Sequence, residues 1–374
     1  MNSVIRILVS GMSGNYGGVE SLTMNYIRNV NTGKIQFDFL CYGRKIAYDN
    51  EIIDRGGKIH YLPRMRKYVS YYKKIISIFH ENKYDGFWSN RCDLAIESML
   101  VFKIAYRYGV PLRILHAHST GNIRPLRNNR IFHEINKIRI EKYVTDFWAC
   151  SQEAGNFFYR EKIINSPKYK IIKNAIDLQS FKFDFTTRHR VREKINLNDK
   201  FIIGHVGSFL PVKNHVFLLR VFHEIRKKEA TAVLLLIGDG KLRPKIESIT
   251  EKLNLTEVVH FLGLRSDIPE LLNAMDVFIL PSKFEGLPIS LIEAQSASLY
   301  SFVSTKVSSK TKITECLSFV DLRNSPAEWA ELILTKKNCR RVDMMEEVCK
   351  AGYDIKIESV KFEQFLLNSV GYIG

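Results

Sequence analysis

Residues 281–295 read PSKFEGLPISLIEAQ and follow an apolar run, DVFIL, that has the length of a buried strand. The glycine and prolines after this run predict a short loop that leads into a helix. We expect the helix to begin at residues 286–287, with Pro288 in its first turn. Glu285 then lies on the loop, and Glu293 lies two turns down the helix. Two glutamates on a helix usually form a solvated face, but this strand–loop–helix context favours a ligand site at a strand end.

The same alternation of strand and helix extends outward from this stretch. In the second half the apolar runs are FIIGHVGS, TAVLLLIG, VVHFLGL, DVFILP and YSFVST. In the first half they are VIRILVS, IQFDFLCY, GGKIHYL, GFWSN, LRILHAHS and VTDFWACS. Alternation with helical patterns predicts an α/β fold of two doubly wound, Rossmann-like parallel sheets. The pattern breaks within KYKIIKNAIDLQSF (168–181), so we place the domains at 1–175 and 176–354.

The charge of the chain is uneven. The whole chain has 56 Lys and Arg against 39 Asp and Glu, for a net charge of +17. Residues 1–175 hold 28 basic and 14 acidic residues, whereas residues 176–374 hold 28 and 25. A basic half suits an anionic partner such as nucleic acid, an anionic membrane surface or a phosphorylated lipid, although it also serves solubility. No nucleic-acid reading helix or RNP element is evident, so we expect no nucleic-acid partner.

The cysteines and the apolar runs indicate the cellular location of the protein. The six cysteines have neither C-x-x-C pairs nor zinc-finger spacing, and they are Cys41, Cys92, Cys150, Cys316, Cys339 and Cys349. No apolar run reaches the roughly 18–20 residues of a membrane span, and the first residues lack the pattern of a signal peptide. We therefore expect a cytoplasmic protein.

Three further loops follow predicted strands and carry candidate ligand groups. Glycines at 11, 14, 17 and 18 depart from the dinucleotide pattern G-x-G-x-x-G; they suit either a close anionic ligand or a tight turn. His116 and His118 end a strand, where an imidazole can bind a polar ligand, but a zinc site would need a third ligand. Lys213, in GSFLPVKNH, precedes a helix and could pair with a diphosphate, although the loop is not a Walker A motif.

Together these motifs resemble the retaining glycosyltransferases of family 4, especially those that assemble bacterial capsules and exopolysaccharides. The resemblance covers nearly the whole chain, and the E-x7-E element with the preceding PS is its most specific part. It implies the GT-B fold, in which two Rossmann-like domains face each other across a cleft. A final helix within about 355–374 would cross back onto the N-terminal domain.

The resemblance also implies roles for individual residues. In the C-terminal domain, Glu293 matches the ribose ligand, Glu285 the donor-sugar contact and Lys213 the lysine that neutralises the diphosphate. The remaining matches are backbone or loop positions, namely Gly286 and Leu287 facing the sugar and phosphates, and Leu264 and Arg265 reading the base, usually uracil. In the N-terminal domain, Gly17 and Gly18 match the loop near the diphosphate and acceptor, and His118 matches the histidine facing the donor sugar. We therefore assign catalytic roles to His118, Glu285 and Lys213.

Two departures from the family pattern concern the donor site. Ser208 stands where the family usually has an arginine, so either Arg265 or Lys283 would have to replace that cation. The run Ala297-Ser298-Leu299-Tyr300-Ser301 replaces the usual small-Gly-Leu-Pro run.

The implied reaction is metal-independent transfer from a UDP-sugar to a polyprenyl-diphosphate-linked or oligosaccharide acceptor. No convincing D-x-D pair ends a strand, and a lysine with helix-terminal amides can offset leaving-group charge. No cofactor is expected. A GT-B-like sugar-nucleotide epimerase and an inactive scaffold subunit remain alternatives.

A membrane surface is the expected site of action. The segment 64–83 places Met65, Val69, Tyr72, Ile76 and Phe79 at helical spacing, with Arg66, Lys67, Lys73 and Lys74 between them. Such a helix suits peripheral binding to the inner face of the cell membrane, although the apolar residues could instead pack on the sheet. A second basic cluster, Arg124, Arg127 and Arg130, is expected on an acceptor-side loop.

Overall fold

A computed structural model describes residues 4–94, 96–119 and 127–371, and for residues 127–130 it describes the backbone alone. Strands and helices alternate along almost the whole chain. The strands are β1 (Ile5–Ser10), β2 (Ile35–Cys41), β3 (Ile59–Tyr61), β4 (Gly86–Arg91), β5 (Leu112–Ala117), β6 (Asp146–Ala149), β7 (Tyr169–Ile171), β8 (Phe201–Val206), β9 (Ala232–Ile237), β10 (Val259–Gly263), β11 (Val277–Leu280), β12 (Ser301–Ser304) and β13 (Leu317–Val320).

The helices lie between the strands and at the end of the chain. They are α1 (Gly18–Arg28), α2 (Asp49–Asp54), α3 (Tyr68–Glu81), α4 (Ile96–Arg107), α5 (Arg127–Arg139), α6 (Gln152–Phe158), α7 (Glu161–Ile164), α8 (Leu178–Phe181), α9 (Phe185–Lys194), α10 (His215–Lys228), α11 (Arg243–Lys252), α12 (Ile268–Ala274), α13 (Ile289–Ser296), α14 (Pro326–Leu334), α15 (Met345–Lys350) and α16 (Ile355–Ser369). Short 3-10 turns occur at Ile140–Lys142, Pro211–Lys213 and Ser309–Thr311.

The chain divides into two compact units. Unit 1 consists of Met1–Ala175 with Ile355–Gly374, and unit 2 consists of Ile176–Asp354, the same boundaries that the sequence predicts. Helix α16 packs in unit 1, where the Phe362 ring lies 5.2 Å from Trp88 and 5.8 Å from Trp148 between ring centroids. The C-terminal helix therefore completes the core of the first unit.

Each unit contains one parallel sheet. The strand order is β3-β2-β1-β4-β5-β6-β7 in unit 1 and β10-β9-β8-β11-β12-β13 in unit 2. Every paired strand is parallel, and β9 is buried along its whole length, as expected for a sheet covered on both faces. The chain reverses its direction of winding between β1 and β4 and between β8 and β11. Ligands of doubly wound sheets bind at the carboxyl ends of such strand pairs.

Helix α3 confirms the predicted helix, but the apolar stripe that the sequence predicts on it is divided between the core and the surface. Its buried residues are Tyr71, Ile75, Ile78 and Phe79, whereas Val69 is 64% exposed. Two adjacent stripes of this helix are apolar, so periodicity alone could not choose between them. The edge-to-face contact of Phe79 with Phe87 in β4, at 6.3 Å between centroids, belongs to the packing that decides the choice.

The second basic cluster also differs from expectation. Arg127 and Arg130 belong to helix α5 and not to a loop, while Arg124 lies outside the described residues. Of the helices that the structure describes, none is long and apolar enough to cross a bilayer.

Candidate functional site

The candidate site in unit 2 lies where the chain leaves β8 and β11. The amide of Lys283, after β11, donates to Val212 O in the turn after β8 at 2.7 Å. The Nδ2 atom of Asn214 donates to Pro281 O at 3.1 Å. Asn214 has a left-handed backbone (φ 57°), which asparagine tolerates better than most residues, and it turns the chain from the 3-10 turn into α10. These bonds join the two loops into one surface.

A third loop supports this surface from the β9 side. Gly238 has φ +128°, and a Cβ atom there would lie 2.2 Å from Gly207 O, so only glycine fits. The Phe209 amide donates to Asp239 O at 2.9 Å, and the Leu242 amide donates to Phe209 O at 3.0 Å. The loop after β8 is therefore fixed by its neighbour.

Lys213 and Glu285, predicted separately from two motifs, meet in the structure. Lys213 Nζ lies 2.7 Å from Glu285 Oε1, and their side chains are only 14% and 17% exposed. The backbone of Glu285 is held by the loop after β12: its amide donates to Lys306 O, and its carbonyl accepts from the Ser308 amide at 3.1 Å. An ammonium group and a carboxylate thus stand together at the switch between β8 and β11.

Helix α13 begins later than the sequence analysis expected. Its first residue is Ile289, and Pro288 is the extended N-cap residue (φ −70°, ψ 124°). The residue before a proline is disfavoured in the helical region, so Leu287 cannot begin the helix. Glu293 consequently lies one turn into α13. The amides of Gly286 and Leu287 donate to no acceptor in the described chain, and they precede the positive end of the α13 dipole.

Glu293 is an acidic residue of this site with a shifted pKa. Burial raises the pKa of its carboxyl group to about 7. Among the described residues no group donates a hydrogen bond to this carboxyl group. By its exposed surface, Glu293 is half-buried. Because a carboxylate that is partly removed from water and has no donor is costly, the site favours a ligand that brings hydroxyl donors.

Two buried histidines lie beside Lys213 and were not singled out from the sequence. The rings of His205, in β8, and His215, in α10, lie 4.7 Å apart, and His205 Nδ1 lies 2.8 Å from Ile279 O. Burial, with Lys213 nearby, lowers the pKa of both groups, that of His215 to about 4. Both imidazoles are therefore neutral at pH 7. The only sequence signal was that they flank the GSFLPVKN stretch.

The remaining predicted residues of unit 2 lie around this centre. Ser208 is exposed directly after β8, and Leu264 is 72% exposed after β10. Arg265 is held by Asp267, with Nε 2.7 Å from Oδ1, at the end of a strand two positions from β8. Lys283 is exposed on the site loop itself. The sequence offers Arg265 and Lys283 as possible replacements for an arginine at position 208. Of these two residues, Lys283 is the one whose loop is joined to the loop of Lys213.

Unit 1 has its own cluster of polar groups at the strand ends. His118 Nε2 lies 2.8 Å from Asn90 Oδ1, and Ser10 Oγ donates to Ser89 Oγ at 2.9 Å. Burial lowers the pKa of His118 to about 3 and that of the adjacent His116 as well. An amide oxygen only accepts, so His118 Nε2 carries the proton and Nδ1 is left as an acceptor.

The glycine loop of unit 1 leads into α1. Gly17 is the N-cap residue and Gly18 the first residue of the helix. A Cβ atom at Gly17 would lie 2.8 Å from Glu20 Oε2, and Glu20 Oε1 accepts from the Ser13 amide at 2.8 Å. Glu20, which the sequence analysis did not select, therefore shapes this loop. Within residues 4–94, 96–119 and 127–371, no three or more His, Cys, Asp or Glu side chains are grouped to hold a metal ion.

Comparison with known proteins places this architecture in a family. The model of the family described as glycosyl transferases group 1 matches residues 187–333. The putative glycosyltransferase EpsF of Bacillus subtilis (strain 168) is 30% identical over 368 residues, covering 95% of this chain and 94% of EpsF. The chain belongs to the group 1 glycosyl transferases.

Other similar proteins agree with the family and the fold. The UDP-Gal:alpha-D-GlcNAc-diphosphoundecaprenol alpha-1,3-galactosyltransferase of Escherichia coli is 25% identical over 72% of each chain. The crystal structure of Anabaena HepE in complex with UDP has a TM-score of 0.77 at 16% identity, covering 99% of this chain and 100% of HepE. The expected α/β architecture is confirmed: this group 1 glycosyl transferase has two Rossmann-like domains of the GT-B type.

Proposed function

We propose that this group 1 glycosyl transferase moves a sugar from a UDP-sugar to a polyprenyl-diphosphate-linked or oligosaccharide acceptor in surface polysaccharide synthesis. Transfer retains the anomeric configuration and needs no metal ion or cofactor. The observation that carries the proposal is the Lys213–Glu285 ion pair at the carboxyl ends of β8 and β11. It is followed along the chain by the amides of Gly286 and Leu287 and, one turn into α13, by the Glu293 carboxyl group, and none of these groups has a hydrogen-bond partner among the described residues.

The chemistry of a nucleoside diphosphate sugar matches these groups. A vicinal ribose diol supplies the two hydroxyl donors that the Glu293 carboxylate lacks. The diphosphate carries the negative charge that Lys213 and the amides before α13 attract. Lys283 adds a second cation on the same loop. The exposed backbone at Leu264 and Arg265 is the proposed contact for uracil, with Ser208 facing the diphosphate.

Glu285 has a different proposed task. Its ion pair holds Lys213 in place before the donor binds, and its other carboxylate oxygen accepts from hydroxyls of the donor sugar. When the glycosidic bond breaks, negative charge develops on the departing diphosphate, and Lys213 with the amides stabilises it. The departing phosphate accepts the acceptor's proton on the same face of the sugar. In unit 1, His118 Nδ1 accepts from the donor sugar, and the Gly17–Gly18 loop contributes to the acceptor side.

The similar proteins support the donor and acceptor classes. The name of the E. coli relative specifies a UDP-galactose donor and a diphosphoundecaprenol-linked acceptor, and HepE was crystallised with UDP. A relative from Staphylococcus aureus, CapH, is a capsular polysaccharide biosynthesis glycosyltransferase. These names agree with a site built for UDP and with an acceptor that resides in a membrane.

Such an acceptor favours peripheral binding at the cytoplasmic face of the cell membrane. In α3 and just before it, Arg66, Lys67, Lys73 and Lys74 are exposed, and Tyr68 and Val69 are also exposed beside them. Each basic side chain near an anionic surface contributes about 1 kcal/mol, so the four together provide reversible, salt-sensitive binding.

The proposal is tested with a panel of UDP-sugars, first by thermal shift and then by turnover with a lipid-linked acceptor in the presence of EDTA. We expect one UDP-sugar to stabilise the protein and to yield an α-linked product whose configuration NMR verifies. The Glu285→Gln variant should lose transfer but keep UDP binding, because this side chain contacts the sugar. An isomerised sugar nucleotide formed without an acceptor would indicate an epimerase, and failure to cleave any donor would indicate an inactive subunit.

A further inference from the structure

Helix α5 exposes apolar side chains and buries polar ones. Ile131 is 57% exposed, Phe132 41%, Ile135 39% and Ile138 60%. At spacings of three and four residues, these side chains share one side of the helix. We call these four residues the α5 stripe. On the other side, His133 and Asn136 are buried. This arrangement reverses the usual pattern of a helix at a protein surface.

Buried polar contacts fix the rotation of α5. The Leu94 amide donates to His133 Nδ1 at 3.2 Å, and Asn136 Nδ2 donates to Leu94 O at 2.7 Å. The His133 ring also stacks on Phe157, with centroids 4.4 Å apart. Turning the helix to bury the α5 stripe would break these bonds and leave buried polar groups without partners. The exposed apolar side is therefore a built feature of the fold.

The charge around the α5 stripe identifies its partner. Arg139 and Lys142 are exposed at the C-terminal end of α5, and the one exposed acid on the described part of the helix, Glu134, lies 3.5 Å from Lys137. Residues 1–175 carry twice as many basic as acidic residues. An apolar stripe bordered by basic groups suits an anionic lipid bilayer. A second copy of this chain fits less well, because two strongly positive surfaces repel each other.

We propose that the α5 stripe inserts into the interfacial region of an anionic phospholipid bilayer. The inference rests on the proposed function, in which a lipid-linked acceptor brings the enzyme to the membrane. Helices α3 and α5 then contribute differently: the basic residues of α3 supply charge, while its buried face belongs to the core. The α5 stripe supplies the apolar contact.

The experiment uses the full chain and vesicles of phosphatidylcholine with or without phosphatidylglycerol. The test variant is Ile135→Ser with Ile138→Ser. The matched control is Ile53→Ser with Ile357→Ser, which changes two exposed isoleucines in other helices of unit 1. We expect at least about a tenfold loss of partitioning to anionic vesicles for the test variant and parental binding for the control. UDP-induced thermal shifts should be the same in all three proteins, which verifies folding of the variants.

A second measurement reports insertion directly. The three tryptophans of the chain, Trp88, Trp148 and Trp329, are buried, so a Phe132→Trp variant adds an exposed fluorophore at the α5 stripe. We expect a blue shift with anionic vesicles and quenching by lipids brominated on their acyl chains. Parental partitioning of the double variant, or no quenching, would overturn the inference. A dimer in light scattering that the double variant abolishes would also overturn it. Donor cleavage with a water-soluble acceptor analogue tests the proposed function independently of lipid.

Discussion

The two units have the same topology at their strand-order reversals, yet they leave different groups without partners there. In unit 2, which also holds Lys213, no donor to Glu293 and no acceptor for the amides before α13 occurs among the described residues. In unit 1, Glu20 accepts from the Ser13 amide, and the unpartnered atoms include the neutral Asn90 Nδ2. The parallel sheet determines where a ligand binds, but the polar groups without hydrogen-bond partners determine which charge the ligand should carry. Unit 2 suits an anion with a diol, and unit 1 suits neutral hydroxyls.

The largest expected effect comes from the lysine of unit 2. We expect Lys213→Ala to lower turnover by about 10²–10³, because it removes a preorganised cation from the developing diphosphate charge. It also removes the positive charge that attracts the diphosphate, so UDP binding should weaken as well. Steady-state kinetics and calorimetry with UDP measure the two effects. Lys227→Ala, which removes an exposed lysine from helix α10, the helix that follows the Lys213 turn, is the control. If Lys213→Ala bound UDP as tightly as the parental protein, the proposal of an anion site in unit 2 would be wrong.

The next effect concerns Glu293 and depends on pH. A ribose diol donates to the ionised carboxylate, so UDP binding should tighten as pH rises through about 7. Glu293→Gln should weaken UDP binding at pH 8 by about 10- to 100-fold, as expected for loss of hydrogen bonds to a charged group. The pH dependence between 6 and 8 should then flatten. Glu251→Gln, at an exposed position of α11, is the control, and an unchanged pH profile in Glu293→Gln would contradict the assignment.

The same substitution makes a linked prediction for stability. The folded-state pKa of Glu293 lies above that of an unfolded glutamate, so the folded protein binds the proton more tightly. Stability therefore falls as pH rises from about 4.5 to 7, and the loss persists at higher pH. Glu293→Gln should raise Tm at pH 8 by several degrees and have little effect near pH 4. Differential scanning calorimetry at the two pH values tests this sign.

The positions of the strands and of the loops that carry the site residues could be predicted from the sequence. Buried parallel strands are continuous apolar runs, and the ligand-binding loops follow these runs. The runs around Phe201–Val206 and Val277–Leu280 located the two loops that carry Lys213 and Glu285. What the sequence could not provide was their contact. Strand order brings β8 beside β11, although 70 residues and two other strands, β9 and β10, lie between them in the sequence.

The features that the sequence did not provide have a common physical origin. The buried face of α3, the polar burial of α5 and the neutral pair His205 and His215 all depend on which surface each residue packs against. Periodicity shows that a stripe exists but does not show what covers it. The start of α13 is different: the local effect of Pro288 on Leu287 could have been inferred from the sequence alone.

A smaller effect is expected in unit 1. His118→Gln should reduce kcat about tenfold while leaving UDP affinity unchanged, because it removes the one neutral hydrogen bond to a sugar hydroxyl that we propose for this residue. Since the pKa of His118 is about 3, this residue should not contribute a titration between pH 5 and 8 to the parental rate profile. His80→Gln, an exposed histidine of α3, is the control. A loss of UDP affinity in His118→Gln as large as that in Lys213→Ala would contradict the proposed role of His118 toward neutral hydroxyls.

The smallest effect comes from restoring a cation that the family usually has. Ser208 is exposed two residues after β8, so an arginine side chain at this position would displace no buried group. Because the new charge is exposed, Ser208→Arg should tighten UDP binding only a few-fold, in keeping with about 1 kcal/mol for a surface pair. The gain should disappear at high salt, since screening acts strongly on exposed charges. Ser248→Arg adds the same charge on the exposed side of α11 and should change nothing. Equal gains in both variants would mean that overall charge, and not the position of the cation at the end of β8, sets the affinity of unit 2 for UDP.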